Sequence, residues 1–167
     1  PATPTPTAED RAYFYRVQAE MEFADANYLR AIEYYSEAIR LSFESPVAVD
    51  YNNRGIAYRT VGQPDKSVYD STDAISIRGS KTEDSIECIY YNNRGRTYLD
   101  QKQWELAIPD FTEAIKAAPC REAYIYSNRG TASYNLGHYL DAIQDYSAAI
   151  SRDPQNAIYY AYRGRSY

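Results

Sequence analysis

The sequence predicts an all-α fold built from repeated helical hairpins, and three observations predict it. A block ending in Arg-Gly recurs, as Tyr51-Asn52-Asn53-Arg54-Gly55, Tyr91-Asn92-Asn93-Arg94-Gly95, Tyr126-Ser127-Asn128-Arg129-Gly130 and Tyr160-Ala161-Tyr162-Arg163-Gly164. Its glycines are Gly55, Gly95, Gly130 and Gly164, a nearly constant spacing with a longer first step. A second block follows each time with apolar residues at helical rather than strand spacing, as in Ala107, Phe111, Ala114 and Ile115. A fixed period of this size marks a stack of supersecondary units that share one continuous core.

Each element follows from that register. Thr7 with Asp10 marks the start of a first helix at roughly 8–25. Ala19 stands in its Gly position, one period before Gly55. Ala31-Ile32-Glu33-Tyr34-Tyr35 and Ala38-Ile39 place the second helix at roughly 28–43. The third spans roughly 47–61 and stops at Gly62, which suits a left-handed helix end. The fourth, roughly 65–78, is weaker, with Ser67 and Ser71 at two core positions. A longer connection around Arg78-Gly79-Ser80-Lys81 accounts for the long step from Gly55 to Gly95, so the second repeat is expected to be the softest. Helices at roughly 84–101 and 104–117 follow, then 121–136 and 139–152, then 156–167. Pro119 and Pro154 end second helices, because proline lacks the N–H that a helix interior uses. Gly137 marks another turn inside a hairpin, and Trp104 takes the aromatic position held elsewhere by Tyr28 and Tyr139. Glycine inside a helix costs up to about 1 kcal/mol relative to alanine, so its recurrence implies close helix packing.

This pattern of period, small residues, aromatics and closing proline resembles the tetratricopeptide repeat, over nearly everything from Ala8 to Tyr167. The resemblance implies a right-handed α-solenoid of four helix-turn-helix hairpins plus a fifth first helix. The expected organisation is a disordered Pro/Thr linker at 1–7 and one repeat domain at 8–167. Its repeats lie at about 8–45, 46–83, 84–120 and 121–155, with a partial one at 156–167.

Composition narrows the function. The net charge is -5, which argues against nucleic acid as a partner, because phosphate binding rests on Lys and Arg. No apolar run approaches the roughly 18 residues needed to span a bilayer. The 20 tyrosines are expected at helix seams, with their hydroxyls near water. Cys88 and Cys120 make no metal-ligand spacing and read either as free thiols or as a disulfide. The chain has one histidine, His138, beside a turn, and no GxxxxGK[ST], HExxH or GxSxG. The carboxylates Glu33, Glu37, Asp110 and Glu113 lie along helices, where a solvated face or an ion pair is the normal role. The expectation is therefore no enzyme, no metal and no cofactor.

Two residue sets recur at fixed offsets. Arg54, Arg94 and Arg129 each precede the Gly, and Asp70, Asp110 and Asp145 follow them at i+16. They are expected to form structural ion pairs within or between hairpins. The first copy has Gln18 and Tyr34 at these positions. The other set is a candidate peptide-binding face. In arrays of the resembled family the first helix of each hairpin lines the concave surface. That places Asn52, Asn53, Asn92, Asn93, Ser127 and Asn128 on it, with Arg59, Arg96, Tyr124, Tyr134 and Asn135 alongside. An Asn side chain offers an acceptor and two donors, which suits it to an extended peptide backbone. The ladder Asn53, Asn93, Asn128 resembles the asparagine ladder of O-GlcNAc transferase. Capping or bridging of neighbouring helices is the competing role. The carboxylate clamp of the family's co-chaperones would need cations where Ile89 and Asn93, or Tyr124 and Asn128, stand, so that mode is not expected. Arg59 and Arg96 leave room for a mildly acidic segment.

The functional expectation is a protein–protein interaction scaffold that holds a partner peptide or segment in its concave groove. The alternative is the partner- or substrate-recruiting arm of a larger enzyme or secretion assembly. The chain starts at Pro1 and stops after a first helix rich in Ile158, Tyr159, Tyr160 and Tyr162. A capping helix, a fragment of a longer array and a homo-oligomer through this helix are the three readings, and the aromatic makeup favours the last two. The family default for compartment is cytoplasmic, with an exported or membrane-tethered protein as the alternative.

Overall fold

The computed structural model describes residues 5–78, 87–116 and 122–167, without the side chains of Arg78 and Glu87. Among the described residues there are nine α-helices and no strand: α1 Ala8–Ala24, α2 Tyr28–Leu41, α3 Ala48–Thr60, α4 Pro64–Arg78, α5 Glu87–Asp100, α6 Trp104–Lys116, α7 Ala123–Asn135, α8 Tyr139–Arg152 and α9 Ala157–Arg165. The fold is all-α. Within the expected linker, residues 1–4 lie outside the described part, as do Gly79, Ser80 and Lys81 of the longer connection, Pro119, Cys120 and the repeat junctions at 83/84 and 120/121.

The chain divides into two compact units, Pro1–Lys81 and Thr82–Tyr167. In the first, α1 packs on α2, α2 on α3 and α3 on α4. Thr7 opens α1 with a complete capping box: its Oγ1 accepts from the Asp10 N–H, and its own N–H donates to the Asp10 carboxylate at 2.8 Å. These bonds hold the Asp10 carboxyl below its ordinary range. A folded pKa lowered in this way stabilises α1 above the ordinary carboxylate range and is lost as the pH falls through the folded value. Ala19, Ala31 and Tyr35 form the core of the α1–α2 hairpin. Ser67 and Ser71 are buried in α4 where Ala107 and Phe111 stand in α6. A pair of hydroxymethyl groups replaces a methyl and a ring there, so this hairpin buries less apolar surface than its relatives.

In the second unit α5 packs on α6, α6 on α7, α7 on α8 and α8 on α9. Cys88, Ala107, Phe111, Ala114, Ile125 and Ala132 form one core, with Trp104 packed at its edge. Ala123, Tyr126, Ala149 and Tyr159 form a second core that ties α9 to α8. Cys88 is disulfide-bonded, and the only other cysteine in the sequence, Cys120, lies outside the described residues.

The hairpin turns share one backbone solution. Each places a residue in the left-handed region: Ala26 (φ 60°), Gly62 (φ 77°), Lys102 (φ 59°) and Gly137 (φ 79°). A side chain at such a position is disfavoured by roughly 1–2 kcal/mol. Lys102→Gly is accordingly expected to raise the melting temperature of the second unit, by relieving about 1 kcal/mol of that penalty. Thermal unfolding followed by circular dichroism checks this, and a lowered midpoint would count against it.

Candidate functional site

A recurring polar geometry is built around the arginine before the glycine. Arg54 forks onto Asp70, its Nε donating at 2.8 Å and Nη2 at 2.7 Å. Arg94 does the same to Asp110, both bonds at 2.8 Å, and Arg129 to Asp145, at 2.9 and 2.7 Å. In every case the Arg lies on the first helix of a hairpin and the Asp on the second. The i, i+16 offset thus joins the two helices of one unit rather than neighbouring units. The hydrogen bonds that Arg94 and Arg129 donate to Asp110 and Asp145 hold their guanidinium groups above their ordinary range. Burial pushes the Asp70 and Asp145 carboxyls upward, and the hydrogen bonds from Arg54 and Arg129 pull against that shift.

Further contacts support the arginines. The guanidinium lies over the ring of the tyrosine three residues earlier: Tyr51 at 5.6 Å, Tyr91 at 5.7 Å, Tyr126 at 6.0 Å and, for Arg163, Tyr160 at 5.8 Å. Such stacking contributes about 0.5–1 kcal/mol at exposed sites and more when desolvated. For Arg54, Arg129 and Arg163 the remaining nitrogen, Nη1, donates to a hydroxyl on the preceding second helix: Arg54 to Ser36 at 3.0 Å, Arg129 to Thr112 at 3.1 Å and Arg163 to Ser147 at 3.2 Å. These three arginines therefore tie their own hairpin to the one before it. Sequence reasoning missed these partners, although the signal is there. A hydroxyl stands two residues after every Asp, at Thr72, Thr112 and Ser147, with Ser36 in the same register of the first copy.

A fourth ion pair was also missed. Arg16 on α1 forks onto Asp50 on α3, with both bonds at 2.7 Å, and the Asp50 side chain is only 1% exposed. Asp50 lies five residues before Gly55, where Tyr90, Ile125 and Tyr159 fill the core in other copies. A charge at a position that is otherwise apolar was the readable signal. It joins α1 to α3, so the first copy, which lacks the i, i+16 pair, is tied in by a different route.

The candidate peptide-binding residues separate by burial. In the first unit Asn52 is buried and donates through Nδ2 to the Asn53 carboxamide oxygen at 3.1 Å. Asn53 is half-buried and donates to the Tyr35 hydroxyl on α2 at 3.3 Å. Arg59 is half-buried on the last turn of α3. In the second unit Asn92 and Asn93 are buried, at 4% and 8% exposure, and Ser127 is buried with them. Arg96 is half-buried. Asn128 is half-buried and its carboxamide makes no hydrogen bond with any described residue. Tyr124 and Asn135 are exposed, and Asn135 donates to the Thr131 carbonyl at 2.8 Å. Tyr134 is half-buried and meets Tyr139 edge-on at 5.4 Å. Thr131, Tyr134, Asn135, Tyr146, Tyr162 and Arg165 line a hollow of about 180 Å³ between α7, α8 and α9.

Residues 92–157 and 127–167 match the tetratricopeptide repeat family. Residues 92–167 are tetratricopeptide repeats. Among curated proteins the chain is similar to dynein axonemal assembly factor 4 of Rattus norvegicus (29% identical) and of Pan troglodytes (30% identical). Each alignment covers 81% of this chain and 24% of the relative, so the chain spans about a quarter of the length of the curated relatives it matches. Solved structures show the same fold. MamA 41-end from Desulfovibrio magneticus RS-1 is 22% identical with a TM-score of 0.83, covering 94% of this chain and 84% of that one. A MamA RS-1 double mutant, 21% identical, also gives 0.83, covering 94% and 83%. The fold class is thus the tetratricopeptide α-solenoid, an architecture that supports a protein-interaction scaffold. Among the described residues no helix is long and apolar enough to cross a membrane.

Proposed function

We propose that residues 8–167 act as one tetratricopeptide domain that holds a partner peptide or extended segment on the face formed by its first helices. Its repeats lie at about 8–45, 46–83, 84–120 and 121–155, with the partial one at 156–167. The observation that carries this reading is Asn128. Its carboxamide has no hydrogen-bond partner among the described residues, and it sits half-exposed on the same helix as exposed Tyr124 and Asn135. A group with an acceptor and two donors left over is suited to a peptide backbone. Asn53 is the corresponding group in the first unit, already lent in part to Tyr35. Asn52, Asn92, Asn93 and Ser127 support the face from beneath, and Arg59 and Arg96 favour a mildly acidic segment. The net charge of -5 speaks for protein rather than nucleic acid as the partner. The relatives are named as assembly factors, which accords with a module that gathers other proteins.

A second reading is the recruiting arm of a larger enzyme or assembly. One observation favours it: the curated relatives are about four times as long as the matched region.

Asn128→Ala tests the proposal more cleanly than a change at buried Asn93. The variant is expected to keep the melting temperature of the parent, since a surface change away from special features shifts stability by less than about 0.5 kcal/mol. It is expected to reduce capture of partner proteins on the immobilised chain at least fivefold. Unchanged capture by Asn128→Ala combined with Asn53→Ala would remove the groove reading.

A further inference from the structure

The α7–α8 hairpin lacks a ring that its counterparts carry. Three residues after the repeat glycine stand Tyr58, Tyr98 and Ser133. In the α3–α4 hairpin Arg54 meets two rings, Tyr51 at 5.6 Å and Tyr58 at 5.8 Å, and Lys66 on α4 covers the Tyr58 ring at 5.1 Å. Tyr98 packs at the edge of the α5–α6 core. Arg129 keeps the first ring, Tyr126, but has a serine in the place of the second. Its side chain is 24% exposed, against 17% for Arg54 and 19% for Arg94.

At this place a hollow of about 240 Å³ lies between α6, α7 and α8, lined by Thr112, Arg129, Ser133, Asp141, Gln144 and Asp145 among others. α8 is already packed on α7 and α9 on α8, so the hollow belongs to a completed hairpin. Ser133 is 3% exposed, yet its hydroxyl makes no hydrogen bond with any described residue. It stands one turn after Arg129 on the same face of α7, the face that lines the hollow. The charge is also reversed there. Asp141 holds the register of Lys66, four residues before the paired Asp. Asp145 is taken by Arg129, whereas Asp141 is exposed and forms no ion pair with a described residue. The lining therefore sets one cation against two carboxylates.

We propose that this hollow is a binding site for an aromatic ring with a positive charge beside it. A cavity of about 150 Å³ already holds a benzene ring, so the volume admits a ring and a short substituent. The ring lies against the Arg129 guanidinium, whose attraction for a ring face Tyr126 already displays. The positive charge meets the free carboxylate of Asp141, and a polar substituent on the ring gives the Ser133 hydroxyl its partner. A free aromatic amine and a Tyr or Trp beside a basic residue in a peptide share this chemistry. The hollow has no residue in common with the asparagine face, so neither reading rests on the other.

Tyramine is the probe, titrated into the isotope-labelled intact chain and followed by NMR. Saturable shifts are expected at the α7 and α8 amides around Ser133 and Gln144. Asp141→Lys, a change at an exposed position, should abolish them, and Asp141→Asn should weaken binding at least fivefold. p-Cresol keeps the ring and lacks the charge, so its affinities for the parent and for Asp141→Asn should agree within twofold. Ser133→Tyr should close the hollow to both probes and raise the melting temperature, by restoring the ring that Tyr58 and Tyr98 provide. Circular dichroism verifies that the variants keep their helix content. Acetyl-Tyr-Lys-amide separates the two sources. Tighter binding than tyramine assigns ring and charge to a peptide, weaker binding assigns them to a free amine, and both uphold the site. No saturable shift at millimolar tyramine overturns the proposal, and so does binding that Asp141→Lys and Ser133→Tyr leave unchanged.

Discussion

Arg16→Ala is expected to destabilise the first unit by about 3–5 kcal/mol, the range for leaving a buried charge without its partner. The Asp50 carboxylate is almost wholly enclosed, and Arg16 supplies two of its hydrogen bonds at 2.7 Å. Without the guanidinium, Asp50 must either stay ionised in a dry site or take up a proton. An exposed ion pair would lose no more than about 1 kcal/mol on the same substitution. Urea unfolding of the chain, with hydrogen exchange of the α1 and α3 amides to localise the loss, reads the difference. A loss under about 1 kcal/mol, the exposed-pair range, would show that Asp50 is solvated in solution. The companion variant removes the charge from both sides. Arg16→Met with Asp50→Leu is expected to recover most of the stability, because apolar replacement of a buried pair is often neutral or better. Tyr90, Ile125 and Tyr159 already occupy the Asp50 register in other copies. Recovery would mark the pair as a device that docks α1 on α3 in one register.

Gly130→Ala and Gly164→Ala are expected to change stability in opposite directions, although the two residues hold the same place in the repeat. Alanine in place of a helical glycine gains up to about 1 kcal/mol from backbone entropy. At Gly164 nothing opposes that gain. At Gly130 the new methyl would sit 3.1 Å from the Asp145 Cβ and the Tyr146 ring. Neither gives way readily: Asp145 is pinned by two bonds from Arg129, and Tyr146 is 2% exposed. Forcing an extra group into a packed seam costs roughly 1–3 kcal/mol, so the clash wins at Gly130. Gly130→Leu should leave the second unit unable to close its α7–α8 hairpin. Thermal and urea unfolding of the matched pair measures both signs, and a stabilising Gly130→Ala would mean that the seam is looser than the structure shows.

Helix positions were largely legible in the sequence, because a buried stripe at helical spacing and a recurring Gly leave little freedom. The expected helix at roughly 139–152 and the observed α8, Tyr139–Arg152, coincide. The pairing of Arg and Asp was half legible. Their constant i, i+16 offset announced a contact, but periodic sequence looks the same whether the contact lies within a hairpin or between hairpins. The Arg16–Asp50 pair was illegible by that route, since it occurs once and has no period. The asparagine face shows the same limit. Asn93 and Asn128 occupy the same place in equivalent blocks, yet one is buried and the other half-exposed, and sequence spacing does not distinguish them.

By itself, then, the sequence determined the succession of hairpins, the register of small residues and the places where an Arg would meet an Asp. These are consequences of local periodicity, which repeats wherever the residues repeat. Only the tertiary structure decided which polar groups are sealed and which hydroxyl and ring complete the arginine cradles. Burial depends on what packs from the other side. Asp50 shows this: it holds the register that Tyr90, Ile125 and Tyr159 fill elsewhere, and only Arg16 packing from α1 makes it a sealed ion pair.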